Sequence, residues 1–180
     1  MEIRECSSDD DVRLEQIGRL RYQVWESEGS LQTSLFPDGI WLDEMDNGGG
    51  CLGAQHWFVE DSAGEMVAAA RLTLHGETDA YRDVKLWRSK AINLTWPVCD
   101  LGRLVVRKDA RGNGLATRLN QARVDAAKAW GAGAIICTAS AANASLLCKH
   151  QGFVSLQHGT VSVFEDRPNT EFQAIHLILK

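Results

Sequence analysis

The residues with the clearest chemical potential lie in one short segment, Val105 to Ala116, where an apolar strand pattern gives way to two glycines and then to a helical pattern. The first N–H groups of a helix have no intrahelical partners, and the helix dipole adds positive potential there. Gly112 and Gly114 let the backbone approach a ligand without an obstructing Cβ. Three basic side chains add charge, namely Arg107, Lys108 and Arg111. The segment predicts a phosphate or diphosphate site, although an ordinary tight turn explains the glycines equally well.

Two other phosphate-binding motifs fit the segment poorly. A P-loop needs Gly-Lys followed by Ser or Thr, which the sequence does not contain. A dinucleotide fingerprint needs a third glycine where Thr117 stands, and an acidic residue after the next strand. The run Cys137 to Ser140 supplies no such residue.

Two segments carry a family resemblance. Arg111 to Ala116 resembles the diphosphate loop of the GNAT N-acetyltransferases, Gln/Arg-x-x-Gly-x-Gly/Ala. Asn143 and the run Leu146 to Phe153 are similar to that family's Asn…Leu-Tyr-x-Lys-x-Gly-Phe pattern, in the same order and at a matching separation. The two segments together cover about residues 97 to 153. The resemblance implies a GNAT-like acyl-CoA N-acyltransferase fold, an α/β domain with a central mixed β-sheet flanked by helices.

The resemblance also implies a cofactor, acetyl-CoA or another acyl-CoA, and assigns residues to it. The family holds the pantetheine arm of coenzyme A through a strand backbone, here Leu104, Val105 and Val106. The remaining implied cofactor contacts are Arg111, Gly112, Asn113, Gly114, Leu115, Ala116 and Asn143. The sequence departs from the family at Lys108, where a proline is usual, and at Cys148, where a tyrosine often serves as general acid.

The implied reaction is attack of an amine on the acyl-CoA thioester. A base must remove a proton first, because an alkylammonium has a pKa of about 10. Asp100, at the start of the central strand, is the first candidate; Glu60 and His75 come second, and His75 is expected at the surface. Cys148 could protonate the departing thiolate, or could be a small buried apolar side chain. The thiolate could also be protonated by solvent.

A weaker resemblance connects the chain to the acyl-homoserine-lactone synthases, which share the GNAT fold. It rests on Arg21-Tyr22-x-Val24-Trp25, the pair Asp43 and Asp46, His56-Trp57-Phe58-Val59, Arg71-Leu72, and Asp100-Leu101-Gly102-Arg103-Leu104. These charges suit a zwitterionic acceptor such as an amino acid or its derivative. The alternative is a set of surface and structural ion pairs. Trp25, Trp41 and Trp57 could line an acyl pocket or simply pack the core.

The elements that must position these residues follow from hydrophobic periodicity and turn chemistry. Strands are predicted at 3–6, 56–60, 66–74, 97–107, 134–138, 153–157 and 172–179, and helices at 10–25, 115–130 and 142–151. Residues 26–53 form a long irregular segment of the kind that shapes a binding site or is mobile. Residues 75–95 are interpreted as an insertion with a short helix. This order predicts a parallel strand pair near the centre of the sheet.

Composition narrows the class of protein. The 180 residues suit one domain, 1–180, and carry a formal net charge of -5, which argues against a nucleic-acid partner. The five cysteines have no C-x-x-C spacing, so neither a disulfide framework nor a metal site is indicated. With no signal-peptide core and no run long enough to span a membrane, a cytoplasmic protein is expected. The resemblance adds the expectation of a homodimer.

The combined hypothesis is an N-acyltransferase that moves an acyl group, expected to be acetyl, from acyl-CoA to a small-molecule amine. Two alternatives remain open at this point. One is a CoA-binding sensor domain that kept the loop and lost the chemistry, since the tyrosine is missing. The other is a longer-chain acyltransferase resembling the acyl-homoserine-lactone synthases.

Overall fold

The computed structural model describes residues 1–79, 94–161, 165–167 and 171–179. Within these residues the chain forms seven β-strands and three α-helices. The strands are β1 (Ile3–Ser7), β2 (Gly53–Glu60), β3 (Met66–His75), β4 (Val98–Val106), β5 (Ala134–Ala139), β6 (Val154–Val161) and β7 (Phe172–Ile178). The helices are α1 (Asp11–Ser27), α2 (Leu115–Ala129) and α3 (Ala141–Gln151).

The seven strands form one mixed sheet in the order β1-β2-β3-β4-β5-β7-β6. The pairing of β4 with β5 is parallel, and the other neighbours are antiparallel. The predicted fold class and the predicted central parallel pair are therefore confirmed. The predicted short helix within residues 75–95 falls mostly outside the described residues.

Helices cover both faces of the sheet because each presents an apolar stripe to it. Leu115 and Leu119 of α2 and Leu147 of α3 pack on one face, in the larger core cluster. On the other face, Ile17 of α1 packs with Phe58 and other strand residues in a smaller cluster. The helix ends follow capping rules, since Ser140 caps α3 and Gly152 ends it in the left-handed conformation, as its sequence predicts.

The parallel pair separates soon after it begins. Its register joins Val98 to Ala134, Cys99 to Ile135 and Asp100 to Ile136, and no later pair joins the two strands among the described residues. Beyond Asp100, β4 stays with β3 while β5 continues beside β7. The sheet therefore opens into a wedge at the end of β4, directly before the glycine turn.

An irregularity in β4 lies at the mouth of this wedge. Ala69 pairs with Val105 but Arg71 pairs with Gly102, so β4 has one extra residue at this point, a β-bulge. Arg103, within the bulge, has a φ of 57°, which is the only positive φ of a non-glycine residue in the described chain. Such a conformation costs about 1–2 kcal/mol, so the contacts of the Arg103 side chain must offset it.

No helix in the described part of the chain combines the length and apolar character that crossing a bilayer requires.

Candidate functional site

The wedge between β4 and β5 is a cleft of about 590 Å³. Ligand pockets in proteins commonly measure about 300–1,000 Å³. Its walls come from the end of β4, the first turns of α2 and α3, and the last turn of α1. The lining residues are Val24, Trp25, Glu28, Ser30, Leu104, Val105, Val106, Ala110, Arg111, Gly112, Gly114, Leu115, Ala116, Thr117, Ser140, Ala142, Asn143 and Leu146.

The outer end of the cleft is the predicted anion site. Gly112 and Gly114 both have positive φ, 81° and 70°, and Gly114 is the N-cap of α2. Because Gly114 has no side chain to cap the helix, the N–H groups of the first turn are left for a ligand. The Asn113 side chain closes the turn instead, donating from Nδ2 to the Ala110 carbonyl at 3.0 Å. Backbone donors and the helix dipole therefore face this part of the cleft.

Of the three basic side chains in this segment, only Arg111 lines the cleft. Its Nε donates to the Val106 carbonyl at 3.0 Å, and its Nη2 pairs with Glu28 of α1 across the opening. Arg107 turns away, because its guanidinium pairs with Asp109 at 2.7 Å and Asp61 at 3.2 Å. The expectation that Arg107 adds charge to the site is wrong.

The cleft brings together the residues that the sequence assigned to coenzyme A, apart from Asn113, which lies in the turn behind it. Leu104, Val105 and Val106 form one wall, and the loop from Arg111 to Ala116 forms the outer end. Asn143, in the first turn of α3, lies opposite. Their role in binding stays a prediction.

The inner end of the cleft is aromatic. Trp25 meets Trp41 edge to face, with ring centroids 5.8 Å apart, and lies 6.3 Å from Phe172. The Arg167 guanidinium lies against all three rings, at 5.1, 5.0 and 4.6 Å from their centroids. Arg103 covers Trp41 at 4.5 Å. Of the three tryptophans considered for an acyl pocket, Trp25 reaches the cleft directly and Trp57 lies in the core.

A cluster of charged residues lies beside this aromatic end, and its inner layer is fully buried. Asp46 accepts from Arg21 at 2.8 Å and lies 2.8 Å from Nη1 of Arg71. Its backbone carbonyl receives the Nε2–H of His56 at 3.0 Å, and its other carboxylate oxygen accepts the Asp43 N–H at 2.8 Å. Buried guanidinium groups need such partners, because an isolated buried charge is very unfavourable.

The outer layer of the same cluster is partly open to solvent. Arg103 pairs with Asp43 at 2.6 Å and with Asp166 at 3.3 Å. Asp166 also accepts the indole N–H of Trp41 at 3.0 Å. These three charged side chains are 16%, 23% and 17% exposed, whereas Arg21 and Asp46 are at 0%. A small molecule could therefore reach the outer layer but not the inner one.

The cluster favours the charged forms of Asp43, Asp46 and Arg103. Burial raises the pKa of Asp43 and of Asp46, but the neighbouring guanidinium groups outweigh burial and hold both below their usual value. Burial lowers the pKa of Arg103, yet Asp43 more than compensates and the pKa is raised. For His56 the balance is reversed: burial first, and then Arg21, outweigh the favourable effect of Asp46 and lower its pKa to about 4, so it is neutral at pH 7.

The structure places the candidate catalytic residues apart from the cleft lining. Asp100 is buried in β4 on the side of Arg71, since its Oδ2 and the Arg71 Nη2 lie 3.4 and 3.7 Å from the position that a Cβ on Gly102 would take. Cys148 is partly buried and packs against the larger core cluster. Their catalytic roles stay predictions.

The two second-choice bases are also located away from the cleft. Glu60 pairs with Arg4 and Arg13 at the far end of β2. His75 is buried, with Nε2 at 2.8 Å from Thr73 and Nδ1 at 3.2 Å from Asp79. The expectation of a surface position for His75 is wrong.

Sequence reasoning missed two pairs of residues. Asp166 and Arg167 follow a stretch without a clear pattern, and no sequence signal connects them to the site. Asn120 and Arg123 are buried on α2 and hydrogen-bonded to each other. For Arg123 a signal existed: it continues the i, i+4 series of Leu115 and Leu119, so its position predicts a buried guanidinium rather than a surface charge.

Comparison with known proteins connects this geometry to a family. The model of the acetyltransferase (GNAT) family matches residues 15–153, which include most of α1, the cleft lining and most of the charged cluster. A comparison with curated protein sequences gives no significant match.

Solved structures agree with the fold. An acyl-CoA N-acyltransferase from Pseudomonas aeruginosa is similar with a TM-score of 0.60 and 19% identity, over 98% of this chain and 99% of that one. FeeM, an N-acyl amino acid synthase from uncultured soil microbes, has a TM-score of 0.67 and 11% identity over 99% and 95%. BjaI, a CoA-dependent acyl-homoserine lactone synthase solved with SAM and isopentyl-CoA, has a TM-score of 0.71 and 19% identity over 99% and 83%. At these low identities, the TM-scores show that the fold is shared.

Proposed function

This chain belongs to the acetyltransferase (GNAT) family and is an acyl-CoA-dependent N-acyltransferase, and we propose that its acceptor is a small zwitterionic amine such as an amino acid or a derivative. The donor is proposed to be acetyl-CoA or another acyl-CoA with a short chain. In this assignment the cleft holds the donor and the outer charged layer holds the acceptor.

The observation that carries the acceptor proposal is the outer layer beside the cleft. Arg103 immediately precedes Leu104, which lines the cleft, and its guanidinium lies between Asp43, Asp166 and the Trp41 ring. A guanidinium can bind a carboxylate with two parallel hydrogen bonds, and the two aspartates can accept from an ammonium. One small surface thus offers both charges that a zwitterion requires, next to the donor.

The proposal of a short acyl chain rests on Trp25. Its ring lines the cleft and is held from behind by Trp41 and Phe172. Arg167 fills the remaining space between the three rings. A long chain directed toward these rings would have to displace packed side chains, which is costly in a close-packed interior.

FeeM and BjaI give limited support to the acceptor class. FeeM is by name an N-acyl amino acid synthase, so a protein of this fold joins an acyl group to an amino acid. BjaI was solved with SAM and isopentyl-CoA, so its fold accommodates an acyl-CoA together with a second small molecule. The charged cluster of this chain is the feature that would make such an acceptor suitable here.

Asp100 is proposed as the general base and Cys148 as the acid, each with its own test. If Asp100 removes the ammonium proton, Asp100→Asn should lower turnover far more at neutral pH than at high pH, where the amine is already unprotonated. A uniform loss would instead indicate a structural role for the buried carboxylate. If Cys148 protonates the thiolate, Cys148→Ala should lower kcat; unchanged kcat would leave protonation to solvent.

Paired acceptors test the proposed function. Purified protein would be mixed with acetyl-CoA and either an amino acid or the carboxamide of the same amino acid, with free thiol as the readout. We expect kcat/KM to be at least about tenfold higher for the free acid, because the carboxamide loses the charge-assisted bond to Arg103. Equal values would refute the zwitterionic acceptor and leave acyl transfer intact.

A pair of variants connects the preference to the site. Arg103→Gln should raise KM for the amino acid about tenfold while KM for acetyl-CoA changes little. Arg107→Gln is the matched control, since Arg107 lies on the same chain segment but pairs with Asp61 and Asp109 at the surface. If both variants behave alike, Arg103 does not bind the acceptor. Absence of thiol release with every amine tried, despite CoA binding, would refute the enzymatic function.

A further inference from the structure

A chain of side-chain hydrogen bonds runs through the interior from the bulged strand to the cleft. Arg123 donates from Nη1 to the backbone carbonyls of Arg71 and Gly102, both at 3.0 Å. Its Nη2 donates to Oδ1 of Asn120, whose Nδ2 donates to Oδ1 of Asn143 at 2.9 Å. Arg123 and Asn120 are fully buried, whereas Asn143 lines the cleft.

The donor and acceptor roles along this chain are dictated by its first member. A guanidinium has only donors, and burial lowers the pKa of Arg123 only to about 10, so it is charged at neutral pH. Asn120 must therefore present its oxygen to Arg123, which leaves its NH₂ to donate to Asn143. Asn143 must accept with its oxygen. Its own NH₂ group is then the part that remains for a ligand in the cleft.

Resting on the proposed function, we propose that Asn120 and Arg123 are positioning residues that fix Asn143 as a hydrogen-bond donor to an amide carbonyl of the acyl donor's pantetheine arm. The arm has amide groups with both C=O and N–H, and a freely rotating asparagine could pair with either. The hydrogen-bonded series Arg123, Asn120 and Asn143, here called the relay, removes this choice. Turning the Asn143 amide would place its NH₂ group against that of Asn120.

The same arginine connects the two halves of the site. Arg71 belongs to the charged cluster, and Gly102 immediately precedes the bulged Arg103. Because Arg123 binds both carbonyls, it holds the bulge in place while it orients the cleft through Asn120. One buried side chain, that of Arg123, thus fixes the position of both the donor surface and the acceptor surface.

Asn120→Asp reverses the polarity of the relay without removing it. A carboxylate still pairs with Arg123, so the variant should fold, but it can only accept from Asn143. Asn143 must then turn its NH₂ inward and present its oxygen to the cleft. The probes are coenzyme A and adenosine 3′-phosphate 5′-diphosphate, which carries the same nucleotide and diphosphate but lacks the arm. Isothermal titration gives both dissociation constants.

We expect the affinity of Asn120→Asp for coenzyme A to fall about tenfold, with the affinity for the armless nucleotide unchanged. Asn143→Asp should show the same selective loss, because its carboxylate has no hydrogen to donate to the arm. Gln16→Glu is the control for the change from amide to acid; Gln16 likewise accepts from an arginine, but on the outer side of α1.

The outcomes separate the two proposals. Unchanged affinity for coenzyme A in a folded Asn120→Asp protein, or an equal loss for both probes, overturns the relay and leaves the proposed function standing. If the wild-type protein binds neither probe, the proposed function fails, and the relay fails with it.

Discussion

Replacing Gly114 by alanine tests whether the glycine turn binds a ligand or serves only to connect β4 to α2. Gly114 has a φ of 70°, and no heavy atom lies within 4 Å of the position that a Cβ would take. The substitution therefore creates no clash inside the protein. It costs only the left-handed conformation, about 1–2 kcal/mol of unfolding free energy, and places a methyl group at the wall of the cleft.

The matched control is Gly131→Ala at the opposite end of the same helix. Gly131 has a φ of 72°, no heavy atom lies within 4 Å of its Cβ position, and it does not line the cleft. The two variants should lose the same stability in urea denaturation. Only Gly114→Ala should lose affinity for coenzyme A, since the methyl group keeps a diphosphate from the backbone N–H groups.

The size of that loss follows from the bonds involved. A hydrogen bond from a backbone N–H to a charged group contributes about 1.5–3 kcal/mol, so losing one lowers the affinity about 10- to 150-fold. Titration calorimetry with coenzyme A measures it directly. If Gly114→Ala and Gly131→Ala bind coenzyme A equally well, the diphosphate does not lie at this turn and the assignment of the loop is wrong.

Three further predictions address other parts of the site. Trp25→Ala should raise the ratio of hexanoyl-CoA to acetyl-CoA turnover about tenfold, while Trp130→Ala, outside the cleft, should leave the ratio unchanged. An unchanged ratio in Trp25→Ala would contradict the proposal that the Trp25 ring limits the length of the acyl chain. Glu28→Gln should tighten coenzyme A binding about 1.4- to fivefold, by about 0.2–1 kcal/mol, because it frees Arg111 and removes a carboxylate from the cleft. Weaker binding in a titration would count against this. The pKa of His56 is 6.5 in the unfolded chain and about 4 in the folded protein. Its contribution to the free energy of unfolding is therefore complete above pH 6.5 and is lost as the pH falls toward 4, a loss of about 3 kcal/mol in all. In urea denaturation, the stability of His56→Gln should decline correspondingly less over that pH range.

The sequence predicts the sheet and helices well because local patterns and global packing agree in them. The i, i+4 apolar series that begins at Leu115, the left-handed Gly152 and the apolar run from Ala134 each require one element type. The glycine turn is also predictable, because a strand, two glycines and a helix leave few geometries. In each of these features the interacting residues lie close together in the sequence, so local patterns are enough to predict them.

The charged cluster could be anticipated only as a set of residue types. Nothing in the spacing of Arg21, Asp46 and Arg71 says which acid pairs with which base, since the pairing depends on how the 26–53 segment folds over the sheet. Asp166 reaches the site from far along the chain and has no local signature. The bulge at Arg103 is likewise a tertiary feature, because it arises from the register between two strands.

The early separation of β4 from β5 has a consequence for how the protein should be handled. A strand edge that lies in the middle of a sheet is normally covered by its neighbour, and here the acyl donor is expected to occupy that place. Stability is then linked to ligand concentration by mass action, with a gain of about 2.7 kcal/mol when the free ligand exceeds its Kd a hundredfold. The protein purified without acyl-CoA is therefore its least heat-resistant form, and adding coenzyme A should raise its melting temperature.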